Sequence, residues 1–312
     1  MTLAAAWPVR RSLTAEAGTA LPPFVDHHVH LHLIDASSFA RRGIAAVVDL
    51  GGDPVHLARR GDGIPHVRYA GAFVTVPGGY PQGRSWAPAS IVCEVTDASS
   101  RPGAPGGART AVDAQADAGA AVIKVALHAD AGPVPDDPTL AAIVAATRAR
   151  GLAVVAHAQG PGQVERAIDA GVDVLAHTPA DAPLSRRVLA RAVAAGQAWI
   201  STLDIHRGDA RDRAIANLRA FVARGGRVLY GTDLGNGDLP VGLNRRELLA
   251  LHEAGVRGDR LIEALSDPWP SAAPTAGLST FIPGPAPTDP DDLATWLSRG
   301  TVVATEELAR VD

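Results

Sequence analysis

Gly151-Leu152-Ala153-Val154-Val155-Ala156-His157 and Gly171-Val172-Asp173-Val174-Leu175-Ala176-His177 share one pattern: a glycine, a short apolar run and a closing histidine. Glycine suits the left-handed residue just past a helix C-terminus. A run this apolar suits a parallel strand buried on both faces. The same register recurs from Gly43 to Asp49, Gly119 to Lys124, Gly196 to Thr202 and Gly226 to Asp233, giving six helix-to-strand units. Strands from Pro23 to His32 and from Val67 to Val76 bring the total to eight. Alanine, leucine and arginine periodicity predicts helices near 53–61, 109–118, 137–150, 161–170, 183–195, 209–224 and 243–255. Eight alternating strands and helices mean an α/β fold, a (β/α)8 TIM barrel with reduced N- and C-terminal extensions. A doubly wound open sheet is the runner-up, but it would not gather the polar residues closing strands one, four, five, six and eight around one centre.

The barrel is expected over 23–270, with an N-terminal extension at 1–22 and a C-terminal extension at 271–312. The tail from Thr280, rich in proline, reads as loosely packed, with one short helix and a strand at Thr301-Val302-Val303. The stretch from Val76 to Gly107 is the longest irregular segment and follows a strand's C-terminal end, so it reads as a substrate lid. A length of 312 residues, 46% hydrophobic and 4% aromatic, suits Ala-rich helices around Val/Ile/Leu strands. A formal net charge of -4 argues against nucleic acid or an anionic membrane as partner. The expected partner is a small-molecule substrate, and a homo-oligomer is compatible with the composition. The single cysteine, Cys93, excludes an internal disulfide framework and reads as a small buried hydrophobe. No apolar run follows Arg10-Arg11 and none approaches the length of a membrane helix, so a cytoplasmic location is expected.

Lys124 is the only lysine; the other 28 basic residues are arginines. It interrupts Ala121-Val122-Ile123-Lys124-Val125-Ala126-Leu127, a buried-strand composition in which an unpaired ammonium must lose its proton or find a strong partner. A neutral amine is a nucleophile or a CO2 acceptor, and arginine can be neither. The first strand reads Val25-Asp26-His27-His28-Val29-His30-Leu31-His32, and alternation puts His28, His30 and His32 on one face. Alone, HxH is a weak metal signal. Lys124, His157, His177 and Asp233 strengthen it, because each closes a strand on the face where this fold carries its catalytic groups.

These pieces, PPFVDHHVHLH, VIKVAL, VVAHAQG, DVLAHT and LYGTDLG, occur in the order found in the amidohydrolase superfamily, which the chain resembles from residue 23 to about 237. Within it the likeness is to the imidazolonepropionase and zinc-dependent prolidase-like group. The resemblance implies that His28 and His30 bind a first metal and His157 and His177 a second. It further implies that Lys124, carboxylated by CO2, bridges both as a carbamate, and that Asp233 completes the first site and shuttles protons. His and carboxylate ligation suits Zn, with Mn, Fe or Co as alternatives. The implied activity is binuclear hydrolysis of an amide-type C–N bond, in a cyclic amide or a small N-acyl or peptide-like substrate, by a hydroxide bridging the two ions. Lactone or ester hydrolysis and mononuclear deamination use the same barrel. Deaminases of the superfamily carry a glutamate where this chain has Gly160, which with Lys124 favours the amide hydrolase. A non-catalytic binding protein on this fold is the third alternative, and the full set of implied ligands counts against it.

Val76-Pro77-Gly78-Gly79-Tyr80 places Tyr80 where that group has a substrate-contacting histidine, so Tyr80 is a candidate oxyanion donor. His128 follows Lys124, and Asp204, His206 and Arg207 follow the seventh strand; all four are candidates to face substrate. Arg84 and Trp86 in the long loop are candidates to clamp a carboxylate and cover an apolar group. His27, His56, His66 and His252 fall off the strand-end pattern and read as structural.

Overall fold

The computed structural model describes residues 3–270 and 275–311. Two strands open the chain, β1 (Trp7–Arg11) and β2 (Ala17–Leu21). The repeat follows as β3 (Val25–Val29), β4 (Ala46–Asp49), α1 (Pro54–Ala58), β5 (His66–Tyr69), β6 (Phe73–Thr75), β7 (Val92–Glu94), α2 (Ala108–Asp117) and β8 (Val122–His128). It continues through α3 (Asp137–Ala149), β9 (Ala153–Gln159), α4 (Gln163–Ala170), β10 (Val174–Leu175), α5 (Arg186–Ala194) and β11 (Ala198–Ile200). The remaining elements are α6 (Gly208–Val222), β12 (Arg227–Leu229), α7 (Arg245–Glu253), α8 (Asp259–Ser266), β13 (Leu278–Pro283), α9 (Leu293–Leu297), β14 (Thr301–Ala304) and β15 (Leu308–Arg310).

Local chemistry accounts for the helix ends. Asp136, Ser185 and Asn244 cap α3, α5 and α7 by accepting from free backbone N–H groups of the first turn. Gly171 stops α4 at φ 78°, and the glycines opening the other units share this left-handed conformation except Gly226, where Gly225 takes it at φ 84°.

The strands form a seven-stranded sheet, β12-β11-β10-β9-β8-β6-β7, and a three-stranded sheet, β3-β4-β5, with parallel pairing in both. Backbone bonds link the two. His27 N donates to Tyr230 O at 3.0 Å and His30 N to Leu234 O at 2.8 Å beyond β12, while Ala121 N, just before β8, donates to Tyr69 O at 2.8 Å. One layer of apolar side chains, including Val25, Val48, Val122, Val155, Val174, Ile200 and Leu229, comes from successive parallel strands. A larger cluster packs those strands against the helices. There Trp199 of β11 stacks on Phe221 of α6 with ring centroids 3.8 Å apart, a contact worth about 1 kcal/mol beyond its buried area.

Three expectations change. The strand anticipated at 67–76 breaks into β5 and β6 around Gly71, whose φ is 71°. The long 76–107 stretch is not wholly irregular: it contributes β7, which adds to the edge of β6. The C-terminal tail is not loosely packed, since β13 buries Phe281 and Ile282 in a five-stranded antiparallel sheet, β14-β13-β2-β1-β15, drawn from both ends of the chain. The anticipated boundary at 270/271 adjoins 271–274, which lie outside the described residues. Among the described residues no helix is long and apolar enough to cross a membrane.

Candidate metal centre and active site

The C-terminal ends of the parallel strands surround a cavity of about 720 Å3, and His28, His30, Lys124, His157, His177 and Asp233 all line it. All but His177 are nearly or fully buried. His28 Nε2 and His30 Nε2 lie 3.1 and 3.2 Å from Asp233 Oδ1. Behind each ring a backbone carbonyl accepts from Nδ1: Ala176 O at 2.8 Å for His28 and Gly51 O at 3.1 Å for His30. These carbonyls favour the proton on Nδ1 and leave each Nε2 turned toward the carboxylate. Three acceptors within 4.8 Å of one another repel unless a cation or extra protons stand among them. Burial, helped by the nearby Lys124 charge, pushes His28 well below the usual histidine range and disfavours the extra proton. The donor set therefore fits a divalent cation.

A second pair stands beside the first. His177 Nε2 is 3.0 Å from His157 Nδ1, and the His28 and His177 ring centroids are 4.7 Å apart. Thr202 Oγ1 sits 3.0 Å from His177 Nδ1, and His128 Nδ1 sits 3.2 Å from His157 Nε2. The facing nitrogens of His157 and His177 share a hydrogen bond, and a cation seated between the two rings would take its place. Burial, reinforced by the charges of Lys124 and His128, lowers His157 to about 3. Burial likewise holds His177 well below its usual range. Both rings are neutral at working pH and free to act as ligands.

Lys124 Nζ lies 3.5 Å from His28 Nε2 and 5.6 Å from the centre of the Phe73 ring. Burial brings its pKa down from 10.5 to about 7, against the opposing pull of the Asp233 and Asp49 charges. Asp233 stays ionised: burial pushes its carboxyl up, but His28 and His30 hold it well below the carboxylate range. Its Oδ2 accepts from Asn236 Nδ2 at 2.8 Å. Asp233 at φ 57° and Thr202 at φ 42° are two of the three non-glycine residues with positive φ among the described residues. Strain of about 1–3 kcal/mol at such positions clusters where a side chain must be aimed.

Other predicted residues divide. His32 leaves the face shared by His28 and His30, because β3 ends at Val29 and Asp49 Oδ2 captures Leu31 N at 2.8 Å, turning the chain; His32 is exposed. Tyr80 lines the cavity with its ring stacked on His157 at 4.8 Å and 21°. Burial and the Asp233 charge push its phenol far up, so it keeps its proton. Trp86 and His206 line the cavity, as does His128, although its Nδ1 is engaged by His157. Arg84 does not line it: its guanidinium is exposed and lies 5.8 Å from the centre of the Tyr80 ring. Asp204 turns away to accept from Asn244 Nδ2 at 2.7 Å and Arg246 Nε at 2.9 Å, and Arg207 is exposed. His27 is structural, tied to Tyr230 O and Asp267 O.

Sequence reasoning gave no role to Thr202, Asp49, Phe73 or Arg213. Thr202 had a signal, since it closes a strand in the repeat as Lys124, His157, His177 and Asp233 do. Arg213 had none, because only the placement of α6 brings it to the cavity wall.

No protein-family model matches the chain, and no curated protein matches it. Solved structures do. A Xaa-Pro dipeptidase with methionine bound in its active site superposes with a TM-score of 0.70 at 17% identity, over 94% of this chain and 87% of the other. The A. niger ochratoxinase gives 0.69 at 17% identity, over 94% and 83%. An amidohydrolase gives 0.66 at 18% identity, over 94% and 87%. Identity this low speaks for architecture, and the chain shares the amidohydrolase-type fold of these hydrolases.

Proposed function

We propose that this chain is a binuclear metal-dependent amidohydrolase that cleaves an amide-type C–N bond in a small N-acyl, peptide-like or cyclic amide substrate. The observation that carries the reading is the convergence of five imidazole and carboxylate ligands and one depressed-pKa lysine on one cavity. We take the two parallel sheets as one closed (β/α)8 barrel, with residues 1–22 and 271–312 as the terminal extensions. Bonds from β3 to the chain after β12, and from Tyr69 to the start of β8, support closure. Residence in the cytoplasm belongs to the same reading and is supported by the single cysteine.

His28, His30 and Asp233 would hold one ion and His157 and His177 the other, zinc being the best match to this donor set. Lys124, uncharged, would add CO2 and lose a proton to become a carbamate, a carboxylate that would help to hold both ions. Such ions, when bound, acidify water and polarise a carbonyl. Asp233 is the base for the attacking water and returns that proton to the leaving nitrogen. Tyr80, protonated and at the wall beside His157, donates to the developing oxyanion. Phe73 and Trp86 help exclude water from the side opposite β11.

The test is turnover of a panel of N-acyl amino acids, dipeptides and cyclic amides by protein loaded with Zn2+, Mn2+ or Co2+. Amide cleavage that a chelator abolishes and metal restores supports the reading; no cleavage across the panel by fully loaded protein overturns it. One observation favours a mononuclear alternative: among the described residues, His28, His30 and Asp233 are the only three such groups close enough to share an ion. A metal content of one ion per chain would select that alternative, and two ions would reject it.

A further inference from the structure

The two sides of the cavity differ in chemistry. In the seven-stranded sheet β6 and β11 are separated by β10, β9 and β8, which lead to or carry His177, His157 and Lys124. From the β6 side come Phe73, Tyr80 and Trp86, whose ring centroids lie 6.0 to 6.2 Å apart. From the β11 side come His206 and, on α6, Arg213.

Among the described residues lining the cavity, Arg213 is the only arginine and Lys124 the only lysine. Its Nε donates to Ala180 O at 2.9 Å, and among the described residues no carboxylate pairs with it. Among the described residues its two terminal amino groups have no hydrogen-bond partner, and the residue lines the cavity. On the same wall His206 Nε2 is buried and has no hydrogen-bond partner. Polar groups withheld from water without partners are costly, and the guanidinium can only donate, so this wall is complementary to a ligand that supplies acceptors, to which the Nε2–H tautomer of His206 can add a donor. A planar guanidinium fork is matched best by a carboxylate. Two aspartates also reach the cavity, but Asp181 Oδ2 is engaged by Gly160 N at 2.8 Å and Asp130 is exposed at the rim.

We propose that Arg213, with His206, is the specificity site for a free carboxylate on the substrate, while Phe73, Tyr80 and Trp86 receive an apolar, preferably aromatic, group at the other end. The substrate class is thus an N-acyl amino acid with an apolar acyl group or a dipeptide with an apolar residue. The assignment of a scissile amide between the two ends rests on the hydrolase reading; the carboxylate site does not. A guanidinium–carboxylate contact of this kind is worth about tenfold or more in affinity.

The test is a titration of metal-loaded protein with N-benzoylglycine and with its uncharged counterpart N-benzoylglycinamide, read by tryptophan fluorescence. The wild type should bind the carboxylate at least about tenfold more tightly than the amide. Arg213→Gln should erase that preference without changing the affinity for the amide, and Arg213→Lys should keep part of it. Equal binding of both probes by the wild type, or no measurable binding of either, overturns the proposal. So does an equal loss of both probes in Arg213→Gln, the signature of a strut for the Ala180 loop. Binding through Arg213 without any cleavage would sink the hydrolase reading and leave this site standing. Cleavage of amides with no preference for a carboxylate would do the reverse.

Discussion

Replacing Lys124 with methionine should stabilise the metal-free protein while destroying its activity. The side chain is 1% exposed, and burial lowers its pKa from 10.5 to about 7. At 1.36 kcal/mol per pKa unit, holding that ammonium in the folded state below pH 7 costs on the order of 5 kcal/mol relative to the unfolded chain. Between pH 7 and 10.5 the folded protein has released the proton while the unfolded chain keeps it, so stability rises with pH and the cost fades. Methionine keeps an unbranched stem of similar length with nothing to ionise. Urea unfolding from pH 6 to 10, in CO2-free buffer with a chelator, should show Lys124→Met more stable than wild type by a few kcal/mol at pH 6. The gap should close toward pH 10. A variant no more stable than wild type at pH 6, or a gap that ignores pH, would refute the reasoning. With metal and bicarbonate restored the order should narrow or reverse, because ions that bind only the folded wild type add stability by mass action.

Asp233→Asn should keep the fold yet lower kcat by roughly 10^2- to 10^4-fold, since it removes the proposed ligand and proton acceptor; steady-state kinetics at saturating metal checks this. Thr202→Val removes the hydroxyl 3.0 Å from His177 Nδ1 and should cost about 10- to 100-fold in metal affinity or activity, measured by competition with a chromogenic chelator. Glu247 is buried, and burial raises its carboxyl from 4.5 to about 7 despite bonds from Leu203 N and Asp204 N. The folded state then keeps a proton the unfolded chain sheds, so stability should fall as pH climbs from about 4.5 to 7. Glu247→Gln should flatten that slope in denaturant titrations, and an unchanged slope would contradict the assignment.

The groups at the strand ends were legible because glycine, apolar run and polar closure recur with little variation, so counting units also counted the ends. His28 and His30 could be read from alternation, but His32 could not, because the Asp49 bond that ends the alternation spans 18 residues. β7 was hidden: Val92-Cys93-Glu94 is three residues long and only partly buried, with no period to detect. β13 was hidden by proline-rich surroundings and by a partner, β2, more than 250 residues earlier in the chain. The left-handed backbone at Asp233 and Thr202 also lies beyond sequence, since neither residue type announces positive φ as glycine does. Arg213 entered only through the packing of α6, which Trp199 and Phe221 help to fix.

A crystal structure of protein grown with zinc and bicarbonate, with anomalous maps at the zinc edge, tests the central claim most directly. The account predicts two peaks about 3.5–4 Å apart, one at His28, His30 and Asp233 and one at His157 and His177, joined by density continuous with Lys124 Nζ. A bare Lys124 amine beside a single peak, or no peak at all, would contradict it.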